Sequence, residues 1–343
     1  MRKQRWSLVG ALVLVVAVAA SIAGAGSAST KADYKVGLVT DIGSLQDRSF
    51  NQLANKGRLA LQAGGGFDTR VFETKTAADR VLNLVAAADQ GSDLVFGTGF
   101  FMFEPLDKVV PRYPNQWFAG IDVGTFLLSK PYPNYIGILF AEQQGGYLAG
   151  YLAALQAKRE GKGNVIGAVG ANGVPPILRY MSGYIQGAKA ANPRIKVLIN
   201  FANDPTFSDQ AKCKEQALSQ IERGARVVFQ IAGGCGLGVV SAAKDKGVWA
   251  IGVDADQLYL GPQMLTSAIK KVDTAVTNLS KLLKAYPNTK GGRNIVYTVK
   301  SGAVGLGAIS PKVNPADVAK VKLIEKRMAQ GKINVVDILK QFK

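Results

Sequence analysis

Lys35-Val-Gly-Leu-Val-Thr40 and Asn164-Val-Ile-Gly-Ala-Val169 are short apolar runs of the kind that form buried strands, and each opens the same succession of elements. After the first, 49–63 reads as a helix with a possible capping box of Ser49 and Gln52. A strand over 69–72 follows, then a helix over 77–90 whose Val81, Leu84, Val85 and Ala88 fall at helical spacing. Leu94-Val-Phe-Gly97 is a strand, followed by a helix over 105–113 and a strand over 117–121. After the second run come a helix over 177–191, a strand over 195–199, a helix over 209–223 and a strand over 226–230. Val36 to Phe96 and Val165 to Phe229 span nearly equal lengths, and both third strands exit into glycine: Gly97-Thr-Gly99 and Gly233-Gly-Cys-Gly236. Apolar strands alternating with helices predict an α/β fold with mostly parallel sheet. Two similar βαβαβ units predict two lobes, with a cleft where the carboxyl ends of their strands face one another. The turn-rich stretch 124–133 is the expected hinge. That places 35–123 with 255–290 in one lobe and 134–254 with 291–343 in the other.

Composition excludes much of catalysis. The 343 residues include no histidine and two cysteines. Ser-His-Asp and Cys-His sites, imidazole metal sites, Cys₃ and Cys₄ zinc and four-thiolate iron–sulfur clusters are therefore out. Residues 1–28 read as a signal peptide: Arg2, Lys3 and Arg5 precede an uncharged apolar run from Leu8 to Ala20, and small residues follow. The run is short for a membrane span of roughly 20 residues. No cysteine follows it to carry a lipid anchor, so the expectation is an exported, extracytoplasmic chain. The net charge is +18, but the basic residues are scattered except in short groups such as the exposed helix face over 320–327. Outside the membrane such a surface favours anionic lipids or wall polymers, or simply solubility, rather than nucleic acid.

Three strand ends carry aspartate: Asp41, Asp122 and Asp254. A carboxylate there can accept hydrogen bonds from both hydroxyls of a vicinal diol, as in a ribose. Taken singly, each also reads as a cap or turn residue; the recurrence favours a site. Phe50, beside the expected cleft, suits stacking on a planar ligand as well as packing under its loop.

Val39-Thr-Asp41 followed by Asp47-Arg-Ser-Phe-Asn-Gln52 resembles the opening of the basic membrane protein family, solute-binding proteins of ABC importers related to purine nucleoside receptor lipoproteins. The resemblance continues through 97–100, 119–122, Gly145-Gly-Tyr-Leu-Ala-Gly-Tyr-Leu152, 227–238, Ile251-Gly-Val-Asp-Ala-Asp-Gln257 and Thr266-Ser-Ala-Ile-Lys-Lys-Val-Asp273. It implies a type I periplasmic-binding-protein fold, two Rossmann-like lobes closing on a ligand. By that resemblance Phe50 would stack on a base, with Asp41, Ser49, Asn51, Phe100 and Asp122 along one wall. Gly233, Asp254 and Lys270 would contact ribose or base from the other. The implied protein is a monomeric, cofactor-free receptor, not an enzyme, which hands a nucleoside-like ligand to a membrane permease and its ATPase.

Gly234-Cys-Gly236-Leu-Gly238 imitates a dinucleotide fingerprint, with Asp254 downstream, but the third glycine of G-x-G-x-x-G is missing. The loop is read instead as backbone approaching a ligand. A secreted nucleoside hydrolase using Asp41, Asp122 and Asp254 around a metal is the alternative, as is binding of a sugar, a flavin or a furanoside signal. A sugar-responsive regulator of the same fold would need DNA-binding helices, which are not expected beside a signal peptide. Cys213 and Cys235 are expected to pair, because a helix start and the end of the following strand share the carboxyl edge of a parallel sheet and export is oxidising.

Overall fold

A computed structural model describes residues 33–161 and 163–337. The signal-peptide reading of 1–28 lies outside them. The first lobe runs β1 (Tyr34–Val39), α1 (Phe50–Ala63), β2 (Phe67–Phe72), α2 (Asp79–Asp89), β3 (Leu94–Thr98), α3 (Phe103–Val109), β4 (Trp117–Ile121) and β5 (Tyr135–Phe140). After α4 (Glu142–Arg159) the second lobe repeats the plan. It runs β6 (Val165–Gly170), α5 (Pro175–Ala191), β7 (Lys196–Phe201), α6 (Gln210–Glu222), β8 (Val227–Ile231), α7 (Gly236–Lys246), β9 (Trp249–Asp254) and β10 (Met264–Lys270). The chain closes with α8 (Val272–Ala285), β11 (Arg293–Tyr297), β12 (Val304–Leu306) and α9 (Pro315–Ala329).

The strands form two six-stranded sheets, ordered β11-β5-β4-β3-β1-β2 and β12-β10-β9-β8-β6-β7. Every pairing is parallel except β10 with β12. The central strands β3 (LVFGT) and β8 (VVFQI) are buried along their whole length, as helices on both faces require.

The hinge is not where the Gly- and Pro-containing stretch suggested. Residues 124–133, with one short 3₁₀ turn over Thr125–Leu127, are a crossover inside the first lobe, because β5 pairs with β4, Phe118 opposite Tyr135. The chain instead passes between lobes at Ala141, at Lys271 and near Thr298, each between a strand of one sheet and the next element of the other lobe. Residues 134–140 and 291–297 therefore belong to the first lobe, and 255–270 to the second. Two of these passages lead directly into a helix, so the helix after each fifth strand docks on the opposite lobe: α4 against α5, and α8 against α1. The α4–α5 contact is glycine on backbone. A Cβ at Gly146 or Gly150 would lie 2.1 or 2.0 Å from the carbonyl oxygens of Tyr180 and Tyr184. One at Gly183 or Gly187 would lie 1.9 Å from those of Gln143 and Tyr147.

Candidate functional site

A cleft opens between the carboxyl ends of the two sheets. On the first lobe, Asp41 follows β1, and its Oδ1 accepts from Arg80 Nε and from the Ile42 N–H, each at 2.7 Å. Burial pushes the Asp41 carboxyl up from its ordinary pKa, opposed by the Arg80 charge. The start of α1 is tied differently from the expected capping box. The Asp47 carboxylate accepts the N–H groups of Ser49, Asn51 and Gln52 at 2.8, 2.9 and 3.1 Å, while the Ser49 side chain makes no capping bond. Two cap-forming residues stand two apart, and the longer carboxylate reaches more orphan N–H groups. Ser49 is thereby freed to cross the cleft, where its hydroxyl donates to Asp254 Oδ2 at 2.7 Å. Phe50, the first residue of α1, turns its ring to the cleft. Asn51 lines the cleft beside it, with a buried Oδ1 that has no hydrogen-bond partner among the described residues.

The two remaining aspartates occupy matching places. Asp122 follows β4 and Asp254 ends β9, with φ of 67° and 63°. A left-handed backbone costs a residue with a Cβ on the order of 1 kcal/mol. Here the turn brings both carboxylates into the cleft. Lys270, at the end of β10, is fully buried and donates to both oxygens of Asp122 at 2.7 Å and to Glu142 Oε1 at 2.9 Å. Its ammonium lies 5.0 Å from the Phe50 ring centre and 4.9 Å from that of Phe140. Burial alone would lower the Lys270 pKa, but Asp122, Glu142 and Asp254 outweigh it and hold the amine well above its usual range. Burial raises Glu142 to about 7 against the pull of Lys270, and Asp254 to about 6 against Lys270 and the Ser49 hydroxyl. Arg179 Nη1, at 3.9 Å from Glu142 Oε2, supplies a second cation behind the cleft.

The second lobe adds backbone and aromatic surface to the wall beside Asp254 and Lys270. Gly233 sits at φ 57° in the turn after β8 and lines the cleft. The rest of the glycine loop serves packing: a Cβ at Gly236 would lie 1.8 Å from Gln230 Oε1, and one at Gly238 1.9 Å from the Gln210 carbonyl. Gly233 thus lines the cleft, whereas Gly234, Gly236 and Gly238 of the quoted motif do not. Cys213, in the first turn of α6, and Cys235 form the expected disulfide, with Cα atoms 5.6 Å apart. It fixes this turn to α6.

Of the nine residues expected to bind ligand, Asp41, Phe50, Asn51, Phe100, Asp122, Gly233, Asp254 and Lys270 line one cleft, and Ser49 lies just behind, bonded to Asp254. Phe207, Phe101 and Glu142 were missed. Phe207 lines the cleft from a turn held by Asp204, whose carboxylate accepts the N–H groups of Thr206, Ser208 and Asp209. An aromatic inside the polar run Asn203-Asp-Pro-Thr-Phe207 was the available signal. Phe101 meets Phe207 across the cleft, ring centres 6.3 Å apart. The hydrolase alternative needs Asp41, Asp122 and Asp254 around one ion. Instead Asp41 is paired with Arg80, Asp122 with Lys270 and Asp254 with Ser49. Among the described residues no group of three acidic or cysteine side chains converges on a metal position.

Residues 34–338 match the family model for PnrA-like ABC transporter substrate-binding proteins. The ABC transporter nucleoside-binding protein BmpA of Lactococcus lactis subsp. cremoris is 35% identical over 337 residues, covering 90% of this chain and 91% of the relative. Basic membrane protein D of Borreliella burgdorferi is 31% identical over 299 residues, covering 86% and 84%. A solute-binding protein of an Aeropyrum pernix ABC transporter system superposes with a TM-score of 0.79 at 25% identity, covering 90% of this chain and 98% of that one.

Proposed function

The chain belongs to the PnrA-like family of ABC transporter substrate-binding proteins, and from that premise we propose that its ligand is a nucleoside, with a purine nucleoside favoured. The observation that carries this reading is the pairing of chemistries in one cleft. Apolar rings, Phe50 from one lobe and Phe207 from the other, suit the two faces of a base. The buried set Asp122, Asp254 and Lys270 offers acceptors and a donor to a ribose diol. The name of the Lactococcus relative, a nucleoside-binding protein, agrees with this.

Transport rather than turnover suits the same residues. Contacts already cross between lobes: Ser49 to Asp254, Lys270 to Asp122, and Gln257 Nε2 to the Arg48 carbonyl at 2.8 Å. A ligand bonded to both lobes stabilises the closed form relative to the open one, and that difference is what an extracytoplasmic receptor presents to its permease. Two measurements test the reading. Mass spectrometry of small molecules released from the denatured protein should find a nucleoside. Calorimetry should show nucleosides binding and hexoses not; a hexose binding where every nucleoside fails overturns the assignment.

A further inference from the structure

The helix α9 carries a feature that ligand binding does not use. Its inner face, with Asp317, Val321 and Met328 buried, packs on α4. Its outer face is ordered. Ala316, Ala319, Leu323 and Gln330 follow one another at spacings of three, four and seven and so form a single line along the helix, all exposed. Leu323, near the middle of that line, is 56% exposed. Lys322 and Lys326, a turn apart, border the line on one side, and Lys320 and Arg327 border it on the other. Of these four cations only Lys320 has a carboxylate partner among the described residues, the buried Asp317 at 3.5 Å. Glu325, the other acid of the helix, is half-buried. Thus the outward face of α9 itself presents no exposed acid, a short apolar line of Ala316, Ala319 and Leu323, and cations on both flanks, with exposed Asp256 lying across the groove that Lys322 and Lys326 line.

We propose that this face of α9 docks the chain flat on the anionic phospholipid surface of the membrane beside which it works. A helix lying in the interface places its apolar line toward the acyl boundary, and long basic side chains on both flanks reach the headgroups. Scattered charge serving solubility alone would mix both signs on the exposed face, whereas here one sign flanks a leucine. Complementarity is with an extended, negatively charged surface, because Ala316, Ala319, Lys320, Leu323 and Arg327 lie outside the two grooves that Lys322 and Glu325 line beside β12.

Vesicle flotation tests the proposal, using the compact unit Asp33–Lys343, which contains both complete sheets and lacks the apolar leader that would itself partition. The chain should float with vesicles containing phosphatidylglycerol and not with pure phosphatidylcholine, and lose binding as salt rises. Lys322→Glu with Lys326→Glu should lower partition at least about tenfold, since each basic residue at the surface contributes severalfold. The equally charged control Lys244→Glu with Lys246→Glu, exposed on α7, should change it less than twofold. Leu323→Asn should weaken it about threefold. Nucleoside affinity and thermal melting measured on the same variants should not move, which separates this result from failure of the ligand reading or of the fold. The proposal is overturned if anionic vesicles do not bind, if both double variants lose binding equally, or if only a soluble glycerol-phosphate polymer is retained.

Discussion

The two lobes repeat one another strand for strand but secure their cleft-facing turns by different means. In the second lobe the turn after β8 is bonded covalently to the first turn of α6 through Cys213 and Cys235. In the first lobe the equivalent turn, after β3, meets the first turn of α2 through Arg80, whose guanidinium lies 5.4 Å from the Phe101 ring centre while it pairs with Asp41. The helix pairs differ in the same direction. Four glycines interlock α4 with α5, whereas α1 meets α8 closely at Gly57, where a Cβ would lie 2.6 Å from the Asp273 carbonyl. One lobe is held by constraints that do not depend on occupancy. The other is held by an arginine and aromatic rings that border the cleft and can rearrange with it.

The contact that joins the lobes should matter most. Lys270 lies fully buried in the second lobe and neutralises Asp122 of the first as well as Glu142 at the passage between them. Lys270→Ala leaves buried Asp122 without its cation and Glu142 with only Arg179 at 3.9 Å, a loss of about 3–5 kcal/mol. Urea unfolding should show it; a variant unfolding with the wild type would mean that the lobes are not joined through this group. Next in size is the covalent tie. Replacing both cysteines with serine should cost roughly 3 kcal/mol for a 22-residue loop. Arg80→Ala, which removes its counterpart in the first lobe, should cost about 2 kcal/mol at neutral pH, by stranding Asp41 and losing the ring contact. Equal losses would erase the distinction between a fixed and an adaptable turn.

The helix pairs sharpen the same comparison at smaller scale. Gly183→Ala drives a methyl group into the backbone of α4 and should cost about 2–3 kcal/mol, even after the usual gain in helix propensity. Gly57→Ala, with more room, should cost about 1 kcal/mol. Thermal melting of the two variants checks the order.

How much of this was legible in the sequence follows from where the information sits. Inner strands such as β1, β3, β4, β6 and β8 declared themselves because burial on both faces forces continuous apolar runs, and the duplication followed from their spacing. In contrast, β5, β10, β11 and β12 were not read as strands from the sequence. The passages between lobes did not, because they lie at Ala141, Lys271 and Thr298, residues no pattern marks, while glycine and proline in 124–133 serve a crossover. Aspartates at three strand ends were visible as a recurrence. Arg80 and Glu142 were not, because a lone charged residue at a helix start is ordinary until its partner is known, and Lys270 was found only through family resemblance. The cap of α1 was read as Ser49 because serine and aspartate both cap, and only geometry shows Asp47 taking three N–H groups.

The smallest expected effect separates the two matching aspartates themselves. Asp122 and Asp254 share a left-handed backbone and a place at a strand end, but Asp122 accepts two bonds from Lys270, whereas Asp254 faces the Ser49 hydroxyl. Burial raises Asp254 to about 6 in the folded chain. Between roughly pH 4 and pH 6 the folded form then holds a proton that the unfolded form has lost, so this group makes the empty protein more stable as pH falls through 6. Ligand affinity should run the other way. Ribose hydroxyls donate to an ionised carboxylate, and at pH 5 most of the empty protein must first release a proton. Affinity for a nucleoside should therefore be roughly tenfold weaker at pH 5 than at pH 7, with proton release visible as a buffer-dependent calorimetric enthalpy. Asp254→Asn keeps an acceptor for Ser49 and should flatten both profiles below pH 6, with a lower affinity at every pH. A wild-type affinity constant between pH 5 and pH 7 would show that Asp254 is not the residue receiving those hydroxyls. The matching aspartates would then differ in partner without differing in function.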